Sequence, residues 1–428
     1  NNDQLYSNAD AYVGHQRSDE HLGLGDAGVK CGNVKGRNQL NLGFYSQITG
    51  LEKHGSLYLP AYFGMFIESL TDYLDHVRLF VHQAEGSEQD IFDSRISRSN
   101  FDYILLPSRK SFPHQYFLPD YYLSDFKNGS ADLDVMLLRG PTPLTPAIAK
   151  KFAPKPSVLM IVGDQLTGAR TSDQPLWRKQ LIMAYWKLVY ASIHKIAKKS
   201  LVIANSEKQY SRYKPLSKKV VQTRTTTLRL ENIRIRENNE LHSPVRLIFS
   251  GRIELEKGIL EIIKAVGLLV KEGEDVVLEF VGWSQKPDLI QEKINQTALE
   301  NGVEERVRVT GYVPAGKALF ERYATSDIFV IASPDSEGFP RSIWEALAQG
   351  VSVVATKVGS IPDFIDGAGE LIDSSEPTVI ATAIKKLIHD PEARANYREK
   401  GYSIVQEITL QKQTKKMVDE IAQWINGK

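Results

Sequence analysis

The chain has 428 residues, 42% hydrophobic and 25% charged, with 53 Lys and Arg against 52 Asp and Glu. That length exceeds a single hydrophobic core, and the composition is that of an ordinary globular protein of two domains. One cysteine, Cys31, excludes an internal disulfide framework and a cysteine-based zinc site, which favours a reducing, cytoplasmic compartment. No apolar run reaches the 18 or so residues of a membrane span, and no secretory pattern opens the sequence. The near-zero net charge hides a concentration: residues 150–219 hold 15 basic residues but only Asp164, Asp173 and Glu207 as acids.

Residues 1–38 are polar, rich in Gly, Asn and Asp, and read as a flexible leader. Gly23, Gly25 and Gly28 match the dinucleotide fingerprint G-x-G-x-x-G. No apolar strand precedes them and no amphipathic helix follows, so they are not read as a cofactor site. Ordered structure is expected from a strand at Leu40–Tyr45. A Gly-containing loop through Gly50 and Gly55 and a helix over 60–74 follow. Strands are predicted at Val77–Val81, Tyr103–Leu106, Val135–Leu138 and Val158–Val162, then a long helix over 175–199 and a strand at Leu201–Ala204. Continuously apolar strands alternating with helices predict a parallel, doubly wound α/β sheet. Residues 220–242 read as an edge strand and linker. A second series then restarts with strands at Arg246–Phe249, Val276–Val281, Arg306–Thr310, Ile328–Ile331 and Val351–Ala355. Three helices, over 378–389, 391–405 and 411–425, close the chain.

In such sheets ligands bind beyond the carboxyl ends of the strands. Gly251, Arg252, Lys257 and Gly258 surround one strand end, where two cations and close backbone suit a diphosphate. The alternative is a solvated loop neutralised by Glu254 and Glu256. After Ile331 come Glu337 on a loop, Pro340 in the first turn of a helix and Glu345 on its second turn, with Gly350 ending it. The free N–H groups of that first turn, including those of Arg341 and Ser342, suit an anion. Carboxylates at both ends suit hydroxyls. The bland alternatives are an Arg341–Glu345 ion pair and a capping role for Glu337. The layout fits a nucleotide-diphosphate sugar.

The combined pattern resembles that of retaining glycosyltransferases of family 4, within glycosyltransferase group 1. It consists of Gly251 and Arg252, Lys257 and Gly258, Val281 and Gly282, and Gly311 to Val313. Glu337, Gly338, Phe339, Pro340, Ser342, Glu345 and Gly350 follow, then Gly359 to Pro362. The resemblance covers about residues 245–408 strongly and the first half loosely. It implies the GT-B architecture, two Rossmann-like domains facing each other across a cleft, with the last helix crossing back to the first. Residues 39–240, completed by about 410–428, would then bind the acceptor, and 241–409 the nucleotide sugar. By resemblance Glu337 holds donor-sugar hydroxyls, Glu345 the ribose hydroxyls, Arg252 and Lys257 the diphosphate, and the Val313 backbone the base. Pro340 departs from the family's usual Gly, and Asp164 stands near where a His is usual. Asp164 is accordingly a candidate in the acceptor region, with helix capping or a hydrogen-bonded loop as its alternatives.

The resemblance requires no cofactor or metal. Asp132 and Asp134, a formal D-x-D, lack the context of the metal-dependent fold, and the His residues show no ligand spacing. The expected activity is transfer of a sugar, with UDP-sugar as the guessed donor, to a glycan or lipid-linked acceptor. An epimerase on the same architecture and a non-catalytic relative are the alternatives. The basic stretch, with Trp177, Trp186 and Tyr190, suits peripheral contact with an anionic membrane or a solvated helix end, and no nucleic-acid partner is expected.

Overall fold

A computed structural model describes residues 38–427 apart from 86–91, 172–173, 335–339 and 366. Residues 1–37, with Gly23, Gly25, Gly28 and Cys31, therefore lie outside the described residues.

The first half builds one sheet from β1 (Asn38–Lys53), β2 (Ser56–Leu59), β3 (Leu74–Gln83), β4 (Ser94–Arg95), β5 (Phe101–Leu106), β6 (Val135–Gly140), β7 (Ser157–Ile161), β8 (Leu201–Ala204) and β9 (Lys219–Gln222). Seven strands pair in parallel in the order β5-β3-β1-β6-β7-β8-β9. Strands β7 and β8 are buried along their whole length, as a sheet covered on both faces requires. The expected Gly loop after β1 is instead a hairpin: β1 runs on to Lys53 and pairs antiparallel with β2. His54 and Gly55 turn it with φ of 51° and 69°, the left-handed pair a tight hairpin needs. β9 is the expected edge strand.

The second half builds a separate sheet, wholly parallel, in the order β12-β11-β10-β13-β14-β15. Its strands are β10 (Val245–Ser250), β11 (Val276–Val281), β12 (Val307–Gly311), β13 (Ile328–Ile331), β14 (Ser352–Thr356) and β15 (Glu370–Ile372). Each sheet has its own core. Phe249, Phe280, Phe329 and Trp344 anchor the second, while Phe44 and Phe66 on one face and Phe80 and Phe126 on the other anchor the first.

Helix Leu410–Asn426 crosses back. It buries Leu410, Met417, Val418 and Ile421 in the first half's core, against the helix Ala61–Thr71. The linker between halves is pinned to it, because the Arg224 amide donates to Gln413 Oε1 (2.7 Å) and the Leu410 amide to the Leu228 carbonyl (2.6 Å).

Candidate active site

The carboxyl ends of β10, β11 and β12 are tied together by backbone bonds. The Gly251 amide donates to Val281 O (3.0 Å), Gly282 to Gly311 O (2.8 Å) and Ile253 to Trp283 O (2.9 Å). Gly282 has φ of 148°, and a Cβ there would collide with the Gly251 carbonyl. Only glycine permits so close an approach. At Gly258, φ of 71° and the Ala332 carbonyl impose the same demand where the strand-end loop turns into helix Ile259–Lys271.

These ends open on a cavity of about 500 Å³ between the two halves. Gly251, Arg252, Lys257, Gly282, Val313, Pro340, Arg341, Ser342 and Glu345 all line it, and so do Pro60 and Tyr62 from the first half. The structure thus brings most of the sequence-predicted residues together. Glu337, Gly338 and Phe339 lie outside the described residues.

Arg252 reaches Glu256 at 3.4 Å, with both side chains largely in solvent. Such a surface pair is worth little, so the guanidinium can exchange it for a phosphate oxygen. Glu254 turns away, accepting from the Gln285 amide at 2.7 Å. Pro340 stands just outside the helix as its N-cap rather than in its first turn, and the helix runs Arg341–Ala348. Gly350, with φ of 65°, lies just beyond its end.

Glu345 is buried, 7% exposed, and its carboxylate is fixed from two sides. Thr227 Oγ1, on the linker, donates to Oε1 at 2.7 Å, and the Tyr323 hydroxyl to Oε2 at 3.1 Å. Burial and the neighbouring Glu345 charge push the Tyr323 hydroxyl's pKa well up, so it remains a donor. The Arg341–Glu345 ion pair weighed from sequence does not form. Arg341 lies instead over the Tyr62 ring, 4.4 Å from its centroid. Thr227, Tyr323 and Tyr62 escaped the sequence reading, and no local pattern marks them.

Asp164 is not in the cavity lining. Its carboxylate accepts from Arg212 (2.7 Å), Thr167 Oγ1 (3.0 Å) and the Leu166 amide (3.2 Å) at the start of helix Gln165–Thr171. The capping alternative is the one this geometry favours. The D-x-D aspartates are likewise engaged, Asp132 with Arg78 (2.6 Å) and Asp134 with the Asn41 amide (2.8 Å). Among the described residues, no group of three or more His, Cys, Asp or Glu is arranged to hold a metal ion.

The basic helix Leu176–Ala197 differs from expectation in which aromatics it presents. Trp186 and Tyr190 are buried, packed into the first-half core, whereas Trp177 is 65% exposed. Leu181 and Leu188 continue the exposed stripe at helical spacing. No helix among the described residues is long and apolar enough to cross a membrane.

Two Rossmann-like sheets joined by a cleft and a back-crossing C-terminal helix define the GT-B class. In agreement, Anabaena HepE, crystallised with UDP, matches this fold with a TM-score of 0.67 at 16% identity, over 90% of this chain and 100% of its own. More particularly, residues 231–404 match the model of the family of glycosyl transferases group 1. The D-inositol 3-phosphate glycosyltransferase of Corynebacterium glutamicum is 32% identical over 163 residues, 37% of this chain and 38% of that protein. The amylovoran biosynthesis glycosyltransferase AmsK of Erwinia amylovora is 24% identical over 165 residues, 37% of this chain and 39% of that protein. The matched stretch thus spans under two-fifths of these relatives' own length.

Proposed function

We propose that the chain is a retaining, metal-independent glycosyltransferase that moves a sugar from a nucleotide diphosphate, UDP-sugar foremost, to a glycan or lipid-linked acceptor. The observation that carries this reading is the cavity that gathers Arg252, Lys257, the helix start at Arg341 and Ser342, and an anchored Glu345. A diphosphate would lie against the two cations, which stabilise the charge that develops on the leaving group. The ribose hydroxyls would donate to Glu345, already held in place by Thr227 and Tyr323. The base would meet the backbone at Val313, and Glu337 would hold the donor sugar. Retention would follow from attack on the same face, with the leaving diphosphate receiving the acceptor proton. The group 1 match and the UDP bound to the HepE structure support the donor class. Contact with an anionic membrane is part of this reading, supported by the exposed stripe of Trp177, Leu181 and Leu188 beside Lys179 and Lys187.

Thermal unfolding with UDP, GDP, ADP and TDP tests the donor site. At 100 times Kd the cognate nucleotide stabilises by about 2.7 kcal/mol. Arg252→Ala and Glu345→Gln should each weaken that nucleotide at least tenfold, and Glu337→Ala should abolish transfer without changing the unfolding temperature. Failure of all four nucleotides to stabilise the protein would refute the assignment.

A further inference from the structure

The first turn of helix Ala61–Thr71 stands in the wall of the cavity, and the helix behind it is firmly held. Phe63, Phe66, Ile67 and Leu70 bury that helix in the first-half core, while Pro60 and Tyr62 line the cavity. Pro60, at the N-cap, has no side-chain cap to offer. The Ala61 amide donates instead to Asp93 Oδ1 (2.6 Å), 32 residues further along the chain. A carboxylate there satisfies a donor of the helix start and complements the helix dipole.

Both anchors carry a contact from the second half. The other carboxylate oxygen, Asp93 Oδ2, accepts from the Tyr312 hydroxyl (2.7 Å), 219 residues away. The Arg341 guanidinium lies over the Tyr62 ring, 4.4 Å from its centroid. Tyr312 and Arg341 both line the cavity. Tyr312 and Val313 follow the last residue of β12 and belong to no strand or helix, so a side-chain anchor decides where this backbone runs. Burial, and then the hydrogen bond to Asp93, push the Tyr312 hydroxyl's pKa up, so it stays a donor. Stacking on Tyr62 uses the flat face of the Arg341 guanidinium and leaves its N–H edge for a hydrogen bond.

We propose that Asp93 and Tyr62 are positioning residues for the donor nucleotide: acting through Tyr312 and Arg341, they hold the base end and the phosphate end of a second-half site from the first half. The inference rests on the transferase reading and deepens it, since that reading places the base at Val313, next to Tyr312, and the diphosphate at the helix start of Arg341. Asp93 acts without touching the nucleotide. It keeps the wall in the binding arrangement, so less order has to be imposed when the nucleotide enters.

Calorimetric titration of the whole chain with UDP, or with whichever of GDP, ADP and TDP the parent chain binds instead, tests this. Tyr312→Phe, Asp93→Ala and Tyr62→Ala should each weaken the nucleotide about tenfold, the scale of one hydrogen bond to a charged group or one cation–π contact. The double variant Tyr312→Phe, Asp93→Ala should lose no more than the weaker-binding single variant, because both remove the same bond. Tyr62→Phe, which keeps the ring, should keep most of the affinity. Unfolding temperatures without nucleotide are the folding control, and Asp93→Ser, which can still cap the helix start, replaces Asp93→Ala if that variant does not fold. Unchanged affinity in Tyr312→Phe or Tyr62→Ala, or losses that multiply in the double variant, would overturn the proposal. So would a loss in Tyr312→Phe that the Asp93 variant does not share, since Tyr312 would then act on the nucleotide directly. If the parent chain binds none of the four nucleotides, the donor reading falls and this inference with it. If the parent binds one and the variants bind it equally well, the inference alone falls.

Discussion

Asp164 stands at the carboxyl end of β7, only 10% exposed at its side chain, with Arg212 and Lys208 beside it. Burial alone would raise its pKa. The Arg212 hydrogen bond, the Thr167 hydrogen bond and the Arg212 and Lys208 charges outweigh burial and bring it down to about 2. A carboxylate so acidic is a weak general base near neutrality, which agrees with its place outside the cavity. Because the folded pKa lies below the unfolded value of about 3.9, the group stabilises the fold above that value, and the gain is lost as pH falls toward 2. The gain is about 2 kcal/mol. Asp164→Asn should therefore lower urea stability by that order, evenly from pH 8 to pH 5, and the gap to the parent chain should narrow between about pH 4 and pH 2. A gap that widened in acid would contradict this. Residues such as Arg252 and Lys257 were legible in the sequence because they flank a glycine turn at a strand end. Thr227 was not, since the carboxylate it holds is 118 residues away and only folding brings the two together.

The helix Leu176–Ala197 turns one stripe to the core through Trp186, Val189, Tyr190 and Ile193, and another to solvent through Trp177, Leu181 and Leu188. Burying each exposed side chain would contribute about 1.5–3 kcal/mol, and nearby lysines about 1 kcal/mol each at an anionic surface. A Trp177→Ser, Leu181→Ser double variant should thus lose at least tenfold in cosedimentation with phosphatidylglycerol vesicles. Its unfolding temperature should hardly move, because these side chains pack on little of their own protein. Unchanged cosedimentation would remove the membrane from the proposed function. The sequence placed this helix and strands β10 to β14 closely, since their apolar runs have clear lengths and stops, but it missed the three-residue β15. It mistook the solvent stripe, because a helix apolar on two faces does not say which aromatic turns inward. The β1–β2 hairpin was missed for a different reason: one 16-residue strand changes partner partway along, and Gly50 inside it reads as the start of a loop.

The two halves are joined by more than the linker. Residues 224–228 bond at one end to Gln413 and Leu410 of the last helix, and through Thr227 to Glu345 in the cavity. Helix Leu410–Asn426 therefore belongs energetically to the first half although it ends the chain, and Ile421 is the clearest test. Its side chain is 1% exposed and sits in the cluster that contains Phe63, Phe66 and β1. Truncating a buried isoleucine to alanine typically costs 2–5 kcal/mol, the transfer term plus the cavity left behind. Ile421→Ala should lower overall stability by about that amount. In hydrogen exchange, protection should fall first in β1, β3 and helix Ala61–Thr71, which lie more than 300 residues away in sequence. Strands β10 to β14 have a separate core and should keep their protection until global unfolding. If protection falls equally in both sheets, the halves unfold as one cooperative unit and the last helix is not a first-half element.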